Sequence, residues 1–222
     1  MDMKTFSQRL EWICRKLWLL VRVLGLLVLA VIPDLILDRS VEQVAQWAAG
    51  LVSLVLIVFM YWRAEKNGLA IWDRKFLTWK GLGLVALTYL GIYLSKKLGY
   101  FIMDLQGIED TANQLYIETI LQKIPAWLAF INFVCLPAIS EEIIVRGYLF
   151  KKLFEKYKVL GIVVSGLIFA LLHGPTDLGS WVLYSLPGFL YGYLYYKTDY
   201  LIYPMAVHFI NNAWAFLAYY YL

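Results

Sequence analysis

Ionisable and amide side chains occur within apolar stretches of the second half of the sequence, at positions where they could form a catalytic site. They are Glu141, Glu142, His173, His208 and Asn212. Charged groups inside a membrane segment are costly, so those that remain are candidates for function. His173 and His208 are the two histidines of the chain. The joint presence of these five residues indicates a site, because each of them singly is compatible with an ordinary interhelical hydrogen bond.

The two adjacent glutamates are predicted to have different roles. Glu142 and Arg146 are four residues apart and share a helix face, a spacing that favours an ion pair. Glu141 is turned about 100° away from Glu142 on a helix of 3.6 residues per turn. It has no basic partner nearby in the sequence. We therefore expect Glu142 and Arg146 to be structural and Glu141 to be free for chemistry.

A carboxylate, two imidazoles and an amide together support hydrolysis by an activated water. A glutamate can take a proton from water, and a histidine can orient that water. A second histidine and an asparagine can donate hydrogen bonds to a developing oxyanion. Glu141, His173 and His208 would also supply three ligands for a catalytic zinc ion, with a fourth position open for water. The residue types leave both mechanisms open.

The composition indicates how these residues are positioned. Of the 222 residues, 62% are apolar and 16% charged, and the mean hydropathy is +0.66. Soluble domains have about 45–50% apolar and about 25% charged residues, so a soluble enzyme is excluded. Continuously apolar runs favour helices over a barrel. They recur at about residues 12–32, 44–62, 81–98, 125–150, 159–173, 181–196 and 201–221.

These runs predict an all-α, polytopic transmembrane helix bundle of about seven spanning helices, within a range of six to eight, around a polar cavity. No internal repeat or linker interrupts residues 1–222, which we interpret as a single membrane domain. The first run has no small-residue cleavage site and is expected to be a retained helix. The longest connection, 99–123, is expected to contain an interfacial helix around Leu115–Leu121.

Basic and acidic connections alternate along the chain. Asp34 falls in the acidic connection after the first run, and Lys96 in the connection after the third, whereas the segments 63–80 and 151–158 are basic. This alternation places the N-terminus in the cytoplasm. The net charge of +4 is spread out, with no basic run dense enough to indicate a nucleic-acid partner.

The polar motifs resemble those of the CPBP family of intramembrane proteases. This family is also called the Abi or CAAX-protease family and includes the type II CAAX prenyl endopeptidases. Its pattern is EExxxR, FxxxH and HxxxN on successive helices. The matching residues are Glu141, Glu142 and Arg146; Phe169 and His173; and His208 and Asn212. The resemblance covers about residues 120–222, the expected protease-like core.

The resemblance implies a role for each of these residues. Glu141 would be the general base on water with His173 assisting it, His208 and Asn212 would form the oxyanion hole, and Phe169 would be a supporting residue. The family has been described both as zinc dependent and as glutamate dependent. Because Asn212 suits an oxyanion donor better than a zinc ligand, no cofactor is expected, with Zn²⁺ on Glu141, His173 and His208 as the alternative.

The resemblance also implies an endopeptidase of the bacterial plasma membrane, surrounded by membrane lipids. Its substrate would be a peptide or a membrane protein, in bacteriocin immunity or in peptide maturation. A non-catalytic membrane immunity or binding protein is the main alternative, and a small transporter is a weaker one. The sequence does not indicate an oligomeric state.

One expectation conflicts with the rest. With ideal helices, Glu141 falls toward the cytoplasmic end of its helix and His173 toward the outer end of the next. A bend at Pro137, an early start of the helix that carries Glu141, or a short and deeply placed next helix would bring the two side chains together.

Overall fold

A computed structural model of the protein describes residues 3–40 and 42–222, and these residues fold as helices joined by short connections. The helices are α1 (Met3–Ala30), α2 (Ile32–Arg39), α3 (Gln43–Lys66), α4 (Trp79–Leu105), α5 (Ala112–Leu121), α6 (Ala126–Leu153), α7 (Lys158–Leu172), α8 (Leu178–Thr198) and α9 (Ile202–Tyr221). The all-α prediction is confirmed for the described residues. Each predicted apolar run lies in a helix, and α5 lies where the interfacial helix was expected.

Three helical segments are long and apolar enough to cross a membrane. They are Ser7–Arg39, which joins α1 to α2, Gln43–Lys66 and Ala126–Leu153. Helix α7 is apolar but has only 15 residues, whereas α4, α8 and α9 are 20 residues or longer but less apolar. The chain is compatible with a helical membrane bundle, and the number of seven spans stays a prediction.

Helix α6 runs through the middle of the packed molecule and changes its hydrogen-bonding pattern along its length. Two π-helical stretches, Phe130–Cys135 and Glu142–Leu153, flank the α-helical turns Leu136–Glu141. Every residue from Glu142 to Phe150 is buried. Pro137, predicted to loosen this helix, lies directly after the first π-helical stretch. Such stretches inside α-helices frequently occur at functional sites.

The lengths of α6 and α7 remove the conflict over the depth of Glu141. Helix α6 continues for 12 residues beyond Glu141 (153 − 141), and His173 follows the first residue of α7 by 15 residues (173 − 158). At about 1.5 Å per residue, His173 lies about 22 Å along α7 from the turn that joins the helices, and Glu141 lines the same cavity as His173. The two side chains therefore lie at similar depth, because α6 is longer and α7 shorter than ideal spans.

Helices α7 and α8 approach each other to backbone contact. A Cβ atom at Gly188 would lie 2.8 Å from the carbonyl oxygen of Gly166, closer than real Cβ contacts allow. Small residues permit such packing between membrane helices. The close approach holds the backbone of α8 against the helix that ends at His173.

The connection between α3 and α4 fixes the start of α9. The Leu201 N–H donates to the carbonyl of Ala70 (2.9 Å), and the Tyr203 hydroxyl donates to Asp73 Oδ2 (2.8 Å). A hydrogen bond from the backbone N–H of Lys75, together with that hydroxyl, holds the pKa of Asp73 below its usual value. These bonds anchor the helix that carries His208.

Candidate active site

The four predicted catalytic residues line one cavity of about 300 Å³. Glu141 comes from α6, His173 from the end of α7, and His208 and Asn212 from α9. Helices α1, α2, α4, α5 and α8 complete the walls. Three segments far apart in the sequence thus bring a carboxylate, two imidazoles and an amide to a common space.

Glu141 differs from its neighbour in having no cation beside it. It is half-buried at the cavity wall. Its Oε2 atom is buried and accepts no hydrogen bond from the described residues. No ion pair involves Glu141 in the described part of the chain. This carboxylate is therefore available for a proton transfer.

Glu142 and Arg146 form an ion pair that is fully buried. Arg146 Nη1 lies 3.2 Å from Glu142 Oε1, and both side chains have 0% exposure. Arg146 Nη2 also donates to the carbonyl of Gly188 at 2.8 Å. The guanidinium lies over the rings of Phe169 (4.7 Å) and Tyr191 (5.2 Å). Phe169 thus packs between this ion pair and the cavity.

His208 shares the oxygen that Arg146 contacts. Its Nδ1 lies 2.9 Å from Glu142 Oε1, and its ring stacks on Tyr191 with centroids 5.1 Å apart. With Glu142 ionised, Nδ1–H is the donor, which leaves Nε2 for other partners. The sequence did not predict this contact, because the two residues are 66 positions apart and no spacing rule connects them.

His173 is oriented in a similar way by its own helix. Its Nδ1–H donates to the carbonyl of Phe169 at 2.8 Å. The ring stacks on Tyr184 with centroids 4.4 Å apart and an interplanar angle of 23°. The remaining nitrogen, Nε2, is the one that can orient a water molecule. Both histidines are therefore held through Nδ1 and by an aromatic ring.

Asn212 is positioned by an effect of Pro137. A proline has no N–H, so Pro137 leaves the carbonyl of Phe133, four residues earlier, without its α-helical donor. Asn212 Nδ2 donates to this oxygen at 3.2 Å, and its Oδ1 accepts from Asn211 Nδ2 at 3.0 Å. One amide hydrogen of Asn212 is thus used for positioning, and the second makes no hydrogen bond with the described residues.

Two charged residues of the cavity wall were missed by the sequence interpretation. Asp34 lies in α2 and Lys96 in α4, although the charge pattern had assigned both to connections. Asp34 Oδ1 accepts from Asn132 Nδ2 at 2.9 Å, and Lys96 Nζ donates to Asn211 Oδ1 at 3.1 Å. Both residues could have been recognised as charges at the border of an apolar run. The helices continue beyond these borders, so such a charge can lie inside the bundle.

The three alternative zinc ligands do not form a metal site in this arrangement. Among the residues that the structure describes, no group of three His, Cys, Asp or Glu side chains could hold a metal ion. Glu141, His173 and His208 line the same cavity without forming such a group. The metal-free reaction and the zinc alternative both stay predictions.

The motif residues of the cavity lie in a segment that matches a known family. Residues 123–214 match the family model "Type II CAAX prenyl endopeptidase Rce1-like". The resemblance drawn from the motifs is confirmed over this segment. It contains all seven motif residues from Glu141 to Asn212, whereas Asp34 and Lys96 lie outside it.

The chain is also similar to two bacterial proteins. The chain is 31% identical over 114 residues to the "UPF0177 protein YvdC" of Lactococcus lactis. The aligned segment covers 51% of this chain and 43% of that protein. It is 29% identical over 129 residues to the "Putative membrane peptidase YdiL" of Bacillus subtilis, which covers 58% of this chain and 50% of that protein. The chain thus spans about half the length of these relatives. No solved structure matches it.

Proposed function

We propose that the protein is an intramembrane endopeptidase in which Glu141 activates a water molecule. The observation that carries this proposal is the cavity, where Glu141, which forms no ion pair with the described residues, lies with His173, His208 and Asn212. The match of residues 123–214 to endopeptidases and the name of the Bacillus subtilis relative support it.

The reaction follows from the positions of these groups. Glu141 takes a proton from water while His173 Nε2 orients the water, and the water oxygen forms a bond to the peptide carbonyl carbon. The carbonyl electron pair moves to its oxygen, which accepts the free N–H of Asn212. His208 donates from Nε2 in its doubly protonated form, while its Nδ1–H donates to Glu142 Oε1. The C–N bond then breaks, and the leaving amine takes the proton from Glu141.

The proposal includes a setting. The substrate is a peptide or a membrane protein, and the enzyme acts without a metal in the plasma membrane of a bacterium, with its N-terminus in the cytoplasm. The relatives from Lactococcus lactis and Bacillus subtilis support a bacterial context, and the alternation of basic and acidic connections supports the orientation. Bacteriocin immunity and peptide maturation are the roles that we propose to examine.

The first experiment measures cleavage of a panel of quenched fluorescent peptides by the purified protein in detergent. Glu141→Gln keeps the shape of the side chain and removes the base, so we expect kcat to fall by about a hundredfold or more. Glu109→Gln is the matched control, because Glu109 is exposed and outside the cavity wall. A strong chelator should leave the wild-type activity unchanged.

Two results would contradict the proposal. Activity lost in the chelator and restored by Zn²⁺ would favour the metal mechanism. Protection of cells from a bacteriocin that survives Glu141→Gln, with no cleavage of any peptide by the wild type, would favour the non-catalytic binding protein.

A further inference from the structure

A second concave surface lies nearer the C-terminal end of α6 and shares no lining residue with the cavity of Glu141. It is a groove of about 510 Å³ between α1, the end of α3 and the end of α6. Four cations and two indoles line it: Arg15, Lys16, Arg22, Lys152, Trp12 and Trp18. The residues Trp12, Arg15, Lys16 and Arg22 recur at helical spacing, so they project from one face of α1.

The cations of this groove are only partly balanced by carboxylates of the described residues. Glu155 is the carboxylate among the lining residues. Arg15 pairs with Glu11 at 3.3 Å, where both side chains are exposed. Lys16 Nζ donates to the backbone carbonyls of α6 at Lys152 and Leu153. For Arg22 and Lys152, no carboxylate of the described residues lies within ion-pair distance. The groove therefore has an excess of positive charge.

Arg22 is the cation that most requires an anion. It lies in a helix apolar enough to span a membrane, six residues beyond Lys16, which is about 9 Å along the axis. Its side chain is exposed, and its guanidinium lies 5.4 Å from the ring of Trp18. An arginine within an apolar span normally pairs with an anion or extends toward the headgroups. The group that lies beside the Arg22 guanidinium is the indole of Trp18.

The walls of the groove identify the kind of anion. Lys16 Nζ lies 5.9 Å from the ring of Trp12, so an indole accompanies a cation at two successive levels of α1. Tryptophan is favoured at the level of the lipid headgroups. Beyond Arg22 the surface of α1 is apolar, with Leu24 61% exposed. An anion with an attached hydrocarbon chain therefore fits the groove better than a soluble one.

We propose that this groove binds the headgroup phosphate of an anionic phospholipid. Arg22 and Lys152 contact the phosphate, Trp12 and Trp18 flank the headgroup, and the acyl chains lie along the apolar surface of α1 beyond Arg22. Basic pockets between membrane helices on the cytoplasmic side suit anionic headgroups, and the charge pattern predicts that side for the segments 63–80 and 151–158. The site is independent of the proposed peptidase activity.

The test compares lipids that differ only in headgroup charge. The melting temperature of the full protein in a neutral detergent is measured with short-chain phosphatidylglycerol, with phosphatidylcholine of the same chains, and with glycerol phosphate alone. We expect phosphatidylglycerol to raise it by about 4 °C or more, and the other two by less than about 1 °C. Equal shifts with both lipids, or an equal shift with glycerol phosphate, would overturn the proposal.

Variants locate the effect in the groove. Arg22→Gln with Lys152→Gln should abolish the shift caused by phosphatidylglycerol. Lys75→Gln with Lys80→Gln should keep it, because both lysines are exposed in or beside the connection after α3 and removing them changes the net charge equally. The same loss in both double variants would indicate general charge attraction and refute a site.

A measurement on the wild-type protein does not depend on the folding of a variant. The protein is extracted from vesicles that contain equal amounts of the two phospholipids, and the retained lipids are identified by native mass spectrometry. One retained phosphatidylglycerol per chain is expected. Equal retention of the two lipids would contradict the proposal.

Discussion

Glu142 joins three helices through one carboxylate oxygen. That oxygen contacts Arg146 on its own helix α6 and His208 on α9, while Arg146 reaches the carbonyl of Gly188 on α8. Its neighbour Glu141 forms no ion pair with the described residues and lines the cavity. Two adjacent glutamates thus have opposite surroundings, one fixed within the packing and one at the cavity wall.

The variant Glu142→Gln should therefore reduce stability. It leaves the buried guanidinium of Arg146 without its counter-ion, and breaking a buried pair from one side costs about 3 kcal/mol or more. The melting temperature in detergent measures the effect. Glu141→Gln is the matched control and should melt like the wild type, since no ion pair is lost. A Glu142→Gln protein of normal melting temperature but without activity would reverse the two roles.

The sequence predicted the local contacts of the site and missed the distant ones. A spacing of four residues was enough to relate Glu142 to Arg146, because residues at this spacing share a helix face. It could not relate Glu142 to His208, since that contact depends on how α6 and α9 pack. Asp34 and Lys96 were missed for a different reason: a charge at the border of an apolar run was taken as the end of a helix.

At the scale of single helices, α6 determines the site through its irregular backbone. Pro137 removes one N–H, and the carbonyl of Phe133 accepts the side chain of Asn212 instead. A backbone oxygen that would be satisfied within an ordinary helix thereby becomes an anchor for a neighbouring helix. Membrane proteins commonly satisfy such freed groups with side chains of adjacent helices.

Pro137→Ala should separate stability from activity. The new N–H can bond to the carbonyl of Phe133, which removes the need for Asn212 and makes the helix more regular. We expect the melting temperature to stay equal or rise and kcat to fall by about tenfold or more, because a displaced oxyanion donor is costly.

Pro187→Ala is the matched control for this variant. Pro187 also lies inside a helix, and its replacement leaves the anchor of Asn212 intact. Both prolines line the cavity, so a general effect of removing a ring should be common to the two variants. Unchanged kcat in Pro137→Ala would show that the anchor has no role in catalysis.

Hydropathy predicted where the helices lie but not how they are built. Each of the seven apolar runs is helical, because every backbone group in an apolar environment needs an internal partner. The π-helical stretches of α6 were not predicted, since a reading based on 3.6 residues per turn does not detect bonds between residues five apart. The depths of Glu141 and His173 in the bundle depend on the lengths of their helices. Helix α6 is longer than an ideal span, and α7 is shorter.

At the scale of the whole molecule, the site draws on two parts of the chain. The segment that matches the endopeptidase family, 123–214, carries the motif residues. The preceding helices contribute Asp34 and Lys96 to the cavity wall and most of the cations of the basic groove. Under the proposed function, the segment 123–214 performs the reaction. The helices that precede it shape access to the cavity and contact the membrane.

The orientation of the molecule can be tested with Cys14. This cysteine is exposed near the start of α1, on the end that the charge pattern places in the cytoplasm. In a Cys135→Ser background, a membrane-impermeant maleimide should label Cys14 in inside-out vesicles and not in intact cells. Labelling in intact cells would reverse the predicted orientation.

The first π-helical stretch of α6 affects how the chain tolerates changes in length. In a regular α-helix, losing one residue rotates everything that follows by about 100°. A stretch with bonds between residues five apart already contains an inserted residue, so it can lose one and become α-helical while the following turns keep their orientation. Deletions within Phe130–Cys135 therefore leave Glu141 directed at the cavity, whereas deletions within Leu136–Glu141 turn it away. Helix α6 can therefore lose a residue in its first π-helical stretch without turning Glu141, but not in the α-helical turns beside the two glutamates.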